Sequence, residues 1–285
     1  NPAGCDRLEE EPHIFSLVPG QFGGTLSWYA SPKQDQYHTD GLLAADAEWV
    51  LERCARRKDR PFFLAVGFYR PHLPFNAPAR YWDLHAASEM RASTDAGPPS
   101  GAPDESLMRW SEHHNYAGVP RLPNGTPLPQ PLSSTLVHGY RACVSYVDAQ
   151  VGRLLDALER AGQAERTIVV FWGDHGFKLG EHAAWSKHTN YEVDTRVPLI
   201  VRAPGGLPGR EVADIVELVD LYPTLVEFAG TNQFQWVPGR STWDPLGRCD
   251  HQEFDGSNLE NSAAALFFAR RARQRPRHSH GSAPR

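Results

Sequence analysis

Apolar side chains recur at helical spacing in two stretches of the chain. In the first, Thr39 or Asp40 offers an N-cap, and Leu43, Ala47, Val50, Leu51 and Cys54 follow on one stripe. Arg53, Arg56, Arg57 and Lys58 then place positive charge where a helix C-terminus favours it, and Pro61 stops the helix. The second and longer stripe starts after Ser133 or Ser134. It carries Leu136, Tyr140, Cys143, Val144, Val147, Val151, Leu154, Leu155 and Leu158, with Gly162 as its stop. Three continuous apolar runs, at 62–68, 167–172 and 197–202, have the length and composition of strands buried on both faces. Strands alternating with helices predict an α/β fold, with a mostly parallel central sheet flanked by helices.

Other stretches lack such a period. Residues 1–38 read as loop with one short strand. Between 70 and 131 the chain uses eleven of its 24 prolines, too many for the interior of a regular element, and this predicts a long functional or inserted excursion. After Gly230 the character changes again: residues 231–285 carry eight Arg and five acids, so this part is net +3 and the rest net −8. The end of the chain, rich in Arg, Pro, His and Ser, is expected to be disordered. The expected division is therefore 1–230 as one domain and 231–285 as a divergent tail.

Overall charge and length narrow the function. At 285 residues and a net charge of −5, the chain can bury a large core and presents no bulk positive field for nucleic acid. Its apolar runs fall far short of the ~20 residues that cross a bilayer as a helix. The four cysteines form no C-x-x-C pair, so neither a zinc-finger spacing nor a disulfide framework is visible.

Candidate chemistry gathers after two of the predicted strands. Gly173-Asp174-His175-Gly176 follows the run at 167–172, with Glu181, His182, Trp185 and Lys187 close behind. Ligand sites of open α/β sheets collect at the carboxyl ends of strands. There Asp174 could ligate a hard cation through oxygen and His175 could add a nitrogen, which is half of a metal site. A solvent-facing turn in which Asp174 caps the next segment explains the same spacing equally well. Arg70-Pro71-His72-Leu73-Pro74-Phe75 leaves the run at 62–68 in the same way, so His72 is expected on the same sheet edge, either as a proton donor or as a structural loop histidine. Lys187 could hold an anion as a point charge or be a solvated lysine. No G-x-S-x-G elbow, Walker loop or dinucleotide fingerprint is present.

These blocks, taken in order, resemble the sulfatase family and within it the iduronate-2-sulfatase branch. The resemblance covers roughly residues 40–230 and rests on Pro61-Phe62-Phe63-Leu64-Ala65-Val66-Gly67-Phe68 with Arg70-Pro71-His72-Leu73-Pro74-Phe75, on Val144-Ser145-Tyr146-Val147-Asp148-Ala149-Gln150-Val151-Gly152-Arg153-Leu154-Leu155, and on Gly173-Asp174-His175-Gly176 through Lys187. Val197-Pro198-Leu199-Ile200 and Asp220-Leu221-Tyr222-Pro223-Thr224-Leu225 extend it. It implies an alkaline-phosphatase-like α/β sandwich and hydrolysis of a sulfate ester such as a sulfated carbohydrate. It also implies a formylglycine nucleophile and a divalent cation, usually calcium. Carried over by residue, Asp174 and His175 would ligate the metal, Lys187 would contact sulfate, and His72 would bind sulfate or protonate the leaving oxygen. The secretory route is implied by the resemblance alone.

The sequence departs from the family at the nucleophile. Cys or Ser followed by x-Pro-x-Arg occurs nowhere, and the early paired Asp and the Gly-Lys-x-x-His segment are missing. The expectation is the middle and later part of a sulfatase domain that is inactive alone. A phosphodiesterase or phosphonate hydrolase of the same superfamily and a non-catalytic binder of sulfated glycan are the competing functions.

Overall fold

The computed structural model describes residues 13–19, 25–57, 59–95, 97, 99–103, 106, 116–119, 122–123, 125–206, 208–229 and, for the backbone alone, 264–270. β1 (Phe15–Ser16) pairs antiparallel with β2 (Ser27–Ser31), and α1 (Thr39–Arg56) follows. This helix buries Ala44, Ala47 and Leu51, three and four residues apart as an apolar stripe requires. Its N-cap is His38, which makes no capping bond. Asp40 lies inside the first turn and directs its carboxylate elsewhere.

β3 (Phe63–Gly67) leads through a tight loop to β4 (Phe75–Pro78) and the single turn of α2 (Ala79–Trp82). β4 pairs parallel with β2, Phe75 lying opposite Trp28. The proline-rich excursion is more integrated than its sequence predicts, because Met90, Tyr116, Val119 and Leu128 join Phe75, Trp82, Leu136 and Tyr140 in one buried cluster. α3 (Leu132–Arg160) is the long predicted helix, and Leu136, Tyr140, Cys143, Val147, Leu154 and Leu158 are buried along it. Gly162 adopts φ 63°, which lets the Gly162 amide reach Glu159 O at 2.8 Å and the Gln163 amide reach Leu158 O at 3.1 Å. That αL residue closes the helix C-terminus.

The chain then forms β5 (Thr167–Gly173), a small hairpin of β6 (Lys178–Leu179) and β7 (Trp185–Ser186), the single turn of α4 (Glu192–Thr195), β8 (Leu199–Arg202), α5 (Leu221–Ala229) and β9 (Ala264–Arg270). The main sheet has the order β3-β9-β5-β8. It is layered: Val169 packs with Val66, Phe68, Leu51, Leu154 and Leu158 under α1 and α3, whereas Ile168 and Val170 meet Phe228 of α5 on the other face. This alternation gives the mixed α/β sandwich, with helices on both sides of the sheet. Among the described residues, no helix is long and apolar enough to cross a membrane.

Two expectations about the strands need correction. β3 and β5 run in the same direction, but every neighbouring pair in the main sheet is antiparallel. A parallel neighbour needs a crossover back to the starting end of the strand. The segment between β5 and β8 instead folds over the carboxyl end of β5, so β8 returns antiparallel. β3 and β8 are also not buried on both faces. Among the described residues they form the sheet edges, and Phe63 and Ile200 are 63% and 54% exposed. β9 lies within the divergent tail at 231–285 and is paired on both sides. The rest of that tail lies outside the described residues.

Candidate active site

Two strand exits meet at one edge of the sheet. Across β9, Gly67 at the end of β3 lies opposite Ala265, and Gly173 at the end of β5 lies opposite Ala264. The loops carrying His72 and Asp174-His175 therefore leave side by side. They enclose a cavity of about 230 Å³ lined by His72, Asp174 and His175, with an apolar wall from Phe68, Tyr140 and Phe177. This is below the ~300 Å³ at which drug-sized pockets begin, so it suits one small group.

The loop after β3 is held from below. Asp40 Oδ1 accepts the Tyr69 amide at 2.8 Å, and Oδ2 accepts the Arg70 amide at 3.0 Å. Arg70 is buried and donates from Nε to Asn76 O at 2.8 Å, bracing the two ends of the loop. His72 Nδ1 lies 2.9 Å from Leu73 O, an atom that can only accept, so the ring proton sits on Nδ1. The Tyr69 hydroxyl donates to the same carbonyl at 3.1 Å. Nε2 of His72 is then the atom that can accept a proton or, in the imidazolium, give one.

After β5, Asp174 Oδ1 accepts the His175 amide at 3.0 Å. His175 Nδ1 donates to Gly176 O at 2.7 Å, which leaves the Nε2 lone pair available 3.7 Å from Asp174 Oδ2. Both side chains are partly exposed, at 56% for Asp174 and 33% for His175. An oxygen and a nitrogen donor thus sit together, as a divalent cation needs. No group of three or more His, Cys, Asp or Glu suited to a metal occurs among the described residues. Two donors fall short of the roughly 6–8 ligands calcium takes, so these residues fit part of a metal site and do not complete one.

Lys187 follows β7, is half-buried, and is not among the residues lining the cavity. Its surroundings are conformationally unusual. Among the described residues the non-glycine positions with positive φ are His182, Ala183, Ser186 and His188, at 54°, 59°, 68° and 80°. Left-handed backbone at such positions costs energy and clusters where function fixes a loop. Glu181 and His182, which follow the Asp174-His175 pair in sequence, make local structural contacts. Glu181 accepts the Leu179 amide at 2.6 Å, and His182 meets Gly97 O at 3.0 Å and the Asp95 carboxylate at 3.3 Å. Nothing in the local sequence pattern marks Asp40, Tyr69, Tyr140 or Phe177 as site residues. Tyr140 looked like any member of an apolar stripe, and the partners of Asp40 lie 29 and 30 positions away along the chain.

Comparison with known proteins bears on the family and the fold. The Sulfatase family model matches residues 13–231. The chain is 34% identical over 224 residues to a sulfatase from Formosa agariphila, covering 75% of this chain and 41% of the relative. It is 37% identical over 199 residues to human iduronate 2-sulfatase, covering 60% and 36%. Among solved structures, a phosphonate monoester hydrolase from Silicibacter pomeroyi superposes with a TM-score of 0.59 at 26% identity, covering 73% of this chain and 41% of that one. The chain spans about two fifths of the length of these relatives. With an alkaline-phosphatase-like α/β fold and a family match over most of its described residues, the chain belongs to the sulfatase family.

Proposed function

We propose that the chain carries the cation-binding and sulfate-binding part of a sulfate-ester hydrolase site, of the kind that acts on sulfated carbohydrate. The observation that supports this is the meeting of His72 with Asp174 and His175 on one small cavity, from strand exits about a hundred residues apart. In this reading Asp174 and His175 hold one side of a divalent cation. Calcium favours oxygen, so Asp174 is the stronger ligand. The cation would polarise the sulfate oxygens. His72 holds the sulfate or, protonated on both nitrogens, gives the Nε2 proton to the departing alcohol oxygen. The Leu73 carbonyl stabilises the ring in that form. Lys187 holds sulfate as a compact cation once substrate extends beyond the cavity towards its loop.

A phosphonate monoester presents a similar tetrahedral oxyanion, and the likeness to a phosphonate monoester hydrolase supports it as a second reading. Calorimetric titration separates the two, using a sulfated monosaccharide and a phenyl phosphonate monoester in turn, with calcium present. The sulfate ester is expected to bind more tightly. His72→Ala and Lys187→Ala should each weaken it by about tenfold or more, the scale of one hydrogen bond to a charged group. Asp174→Ala should remove the calcium dependence. Tighter phosphonate binding would favour the second reading, and wild-type affinity in all three variants would remove these residues from any site.

A further inference from the structure

Asp194 lies outside the cavity, yet it joins the two segments that the reading above assigns to cation and sulfate. Its carboxylate is buried, and a single oxygen, Oδ2, takes three donors: the buried Lys178 ammonium, the Thr189 amide at 2.8 Å and the Thr189 hydroxyl at 2.7 Å. Its backbone carbonyl accepts the Gly176 amide at 2.8 Å. A Cβ at Gly176 would lie 1.9 Å from Val193 O, so only glycine permits this approach. Lys178 is four residues past Asp174, and Thr189 is two past Lys187. Between those attachment points lie the left-handed residues His182, Ala183, Ser186 and His188. Strained backbone persists only where its surroundings over-determine it. The β6–β7 hairpin pairs Lys178 with Ser186 and Leu179 with Trp185, and Asp194 carries the link from Lys178 past Lys187 to Thr189.

Resting on the site reading above, we propose that the Lys178–Asp194 pair is a positioning device: it fixes the spacing between the Asp174-His175 segment and the Lys187 segment, and so between cation and sulfate. A buried ion pair is a weak source of net stability and is often replaced by apolar residues without loss. What it supplies here is one acceptor oxygen shared by two chain segments, which an apolar pair cannot reproduce.

The full chain tests this through two double variants that leave no charge buried alone. Lys178→Met with Asp194→Ala cuts both arms. Lys178→Met with Asp194→Asn keeps an oxygen for Thr189 and cuts only the lysine arm. Hydrogen exchange read by mass spectrometry is expected to speed up about tenfold or more in 174–180 for both variants, and in 187–191 only for the alanine variant. Titration with manganese and with inorganic sulfate should show about tenfold or greater loss of cation affinity in both variants, and loss of sulfate affinity only in the alanine variant. Melting temperatures serve as the control for folding. Affinities that follow the melting temperature instead of this pattern would reduce the pair to a structural role. Wild-type exchange in 174–180 for both variants would overturn the tie itself. Asp174→Ala and Lys187→Ala are titrated alongside. If they bind both probes as the wild type does, the site reading fails, and the tie is then judged by exchange alone. If the alanine variant does not fold, the asparagine variant decides the lysine arm.

Discussion

Asp40 sits in the first turn of α1, where a carboxylate would ordinarily serve the helix dipole. Instead, both of its oxygens accept amides from the loop that carries His72. Burial pushes its carboxyl above the usual value of 3.8, while the Arg70 guanidinium and the Tyr69 and Arg70 amides work in the other direction. Because the folded pKa is raised, stability linked to this proton is fully present below the unfolded value and is lost as pH rises through the folded one. Ionised Asp40 is therefore held at a cost near neutrality. Asp40→Asn keeps one acceptor and drops the titration, so wild type should gain stability relative to this variant as pH falls from 7 towards 3.8. Urea unfolding of both proteins across that range measures the difference directly, since every other carboxylate is common to the two. A difference that is flat, or that moves the other way, would remove burial as the dominant influence. The contrast with Asp174 also explains what could be read from the sequence at this scale. Asp174, His175 and Gly176 are neighbours in the chain, so their chemistry is visible as a string. Asp40 and Asp194 act on residues that only the fold brings near.

At the scale of an element, α3 shows how far a repeating pattern reaches. Its stripe fixed the helix and its stop, because burial of one face and the αL residue at Gly162 are both local demands. The two glycines within it cannot be told apart by pattern. At Gly139 a Cβ would lie 2.8 Å from Trp82 Cη2 and 2.9 Å from Phe75 Cβ, whereas at Gly152 it would meet nothing within 4 Å. Alanine gains about 1 kcal/mol of helix propensity over glycine at either position, and overpacking costs about 1–3 kcal/mol. Gly139→Ala should therefore destabilise, by up to about 2 kcal/mol, because Trp82 and Phe75 are both packed in the core and cannot withdraw. Gly152→Ala should stabilise by about 0.5–1 kcal/mol. Urea midpoints of the two variants test the pair, and a raised midpoint for Gly139→Ala would mean that α2 and β4 yield more easily than their packing implies. The strands were harder to read. The run at 62–68 has the composition of a central strand, yet whether a strand lies at the edge depends on which partners reach it, and the partner of β3 is β9, nearly 200 residues later.

For the whole molecule, the question is what this set of groups accomplishes together. The fold brings an imidazole, a carboxylate and a second imidazole to one cavity of about 230 Å³. In the proposed reading these groups would bind and polarise the ester and protonate its leaving oxygen, but none of them attacks sulfur. Acceleration also needs an attacking group. In the family that group comes from Cys or Ser followed by x-Pro-x-Arg, and no such run occurs in these 285 residues. Cys143 cannot stand in for it, since burial pushes its thiol up to about 12 and keeps it protonated near neutral pH. The 285-residue chain by itself should therefore bind sulfate esters without turning them over at an enzymatic rate. The measurement is release of p-nitrophenol from p-nitrophenyl sulfate, with calcium and then with EDTA, compared with the Asp174→Ala variant. Expected rates are indistinguishable from buffer in every case. Turnover that depends on the metal and disappears with Asp174→Ala would show that a nucleophile of another kind is present on this chain.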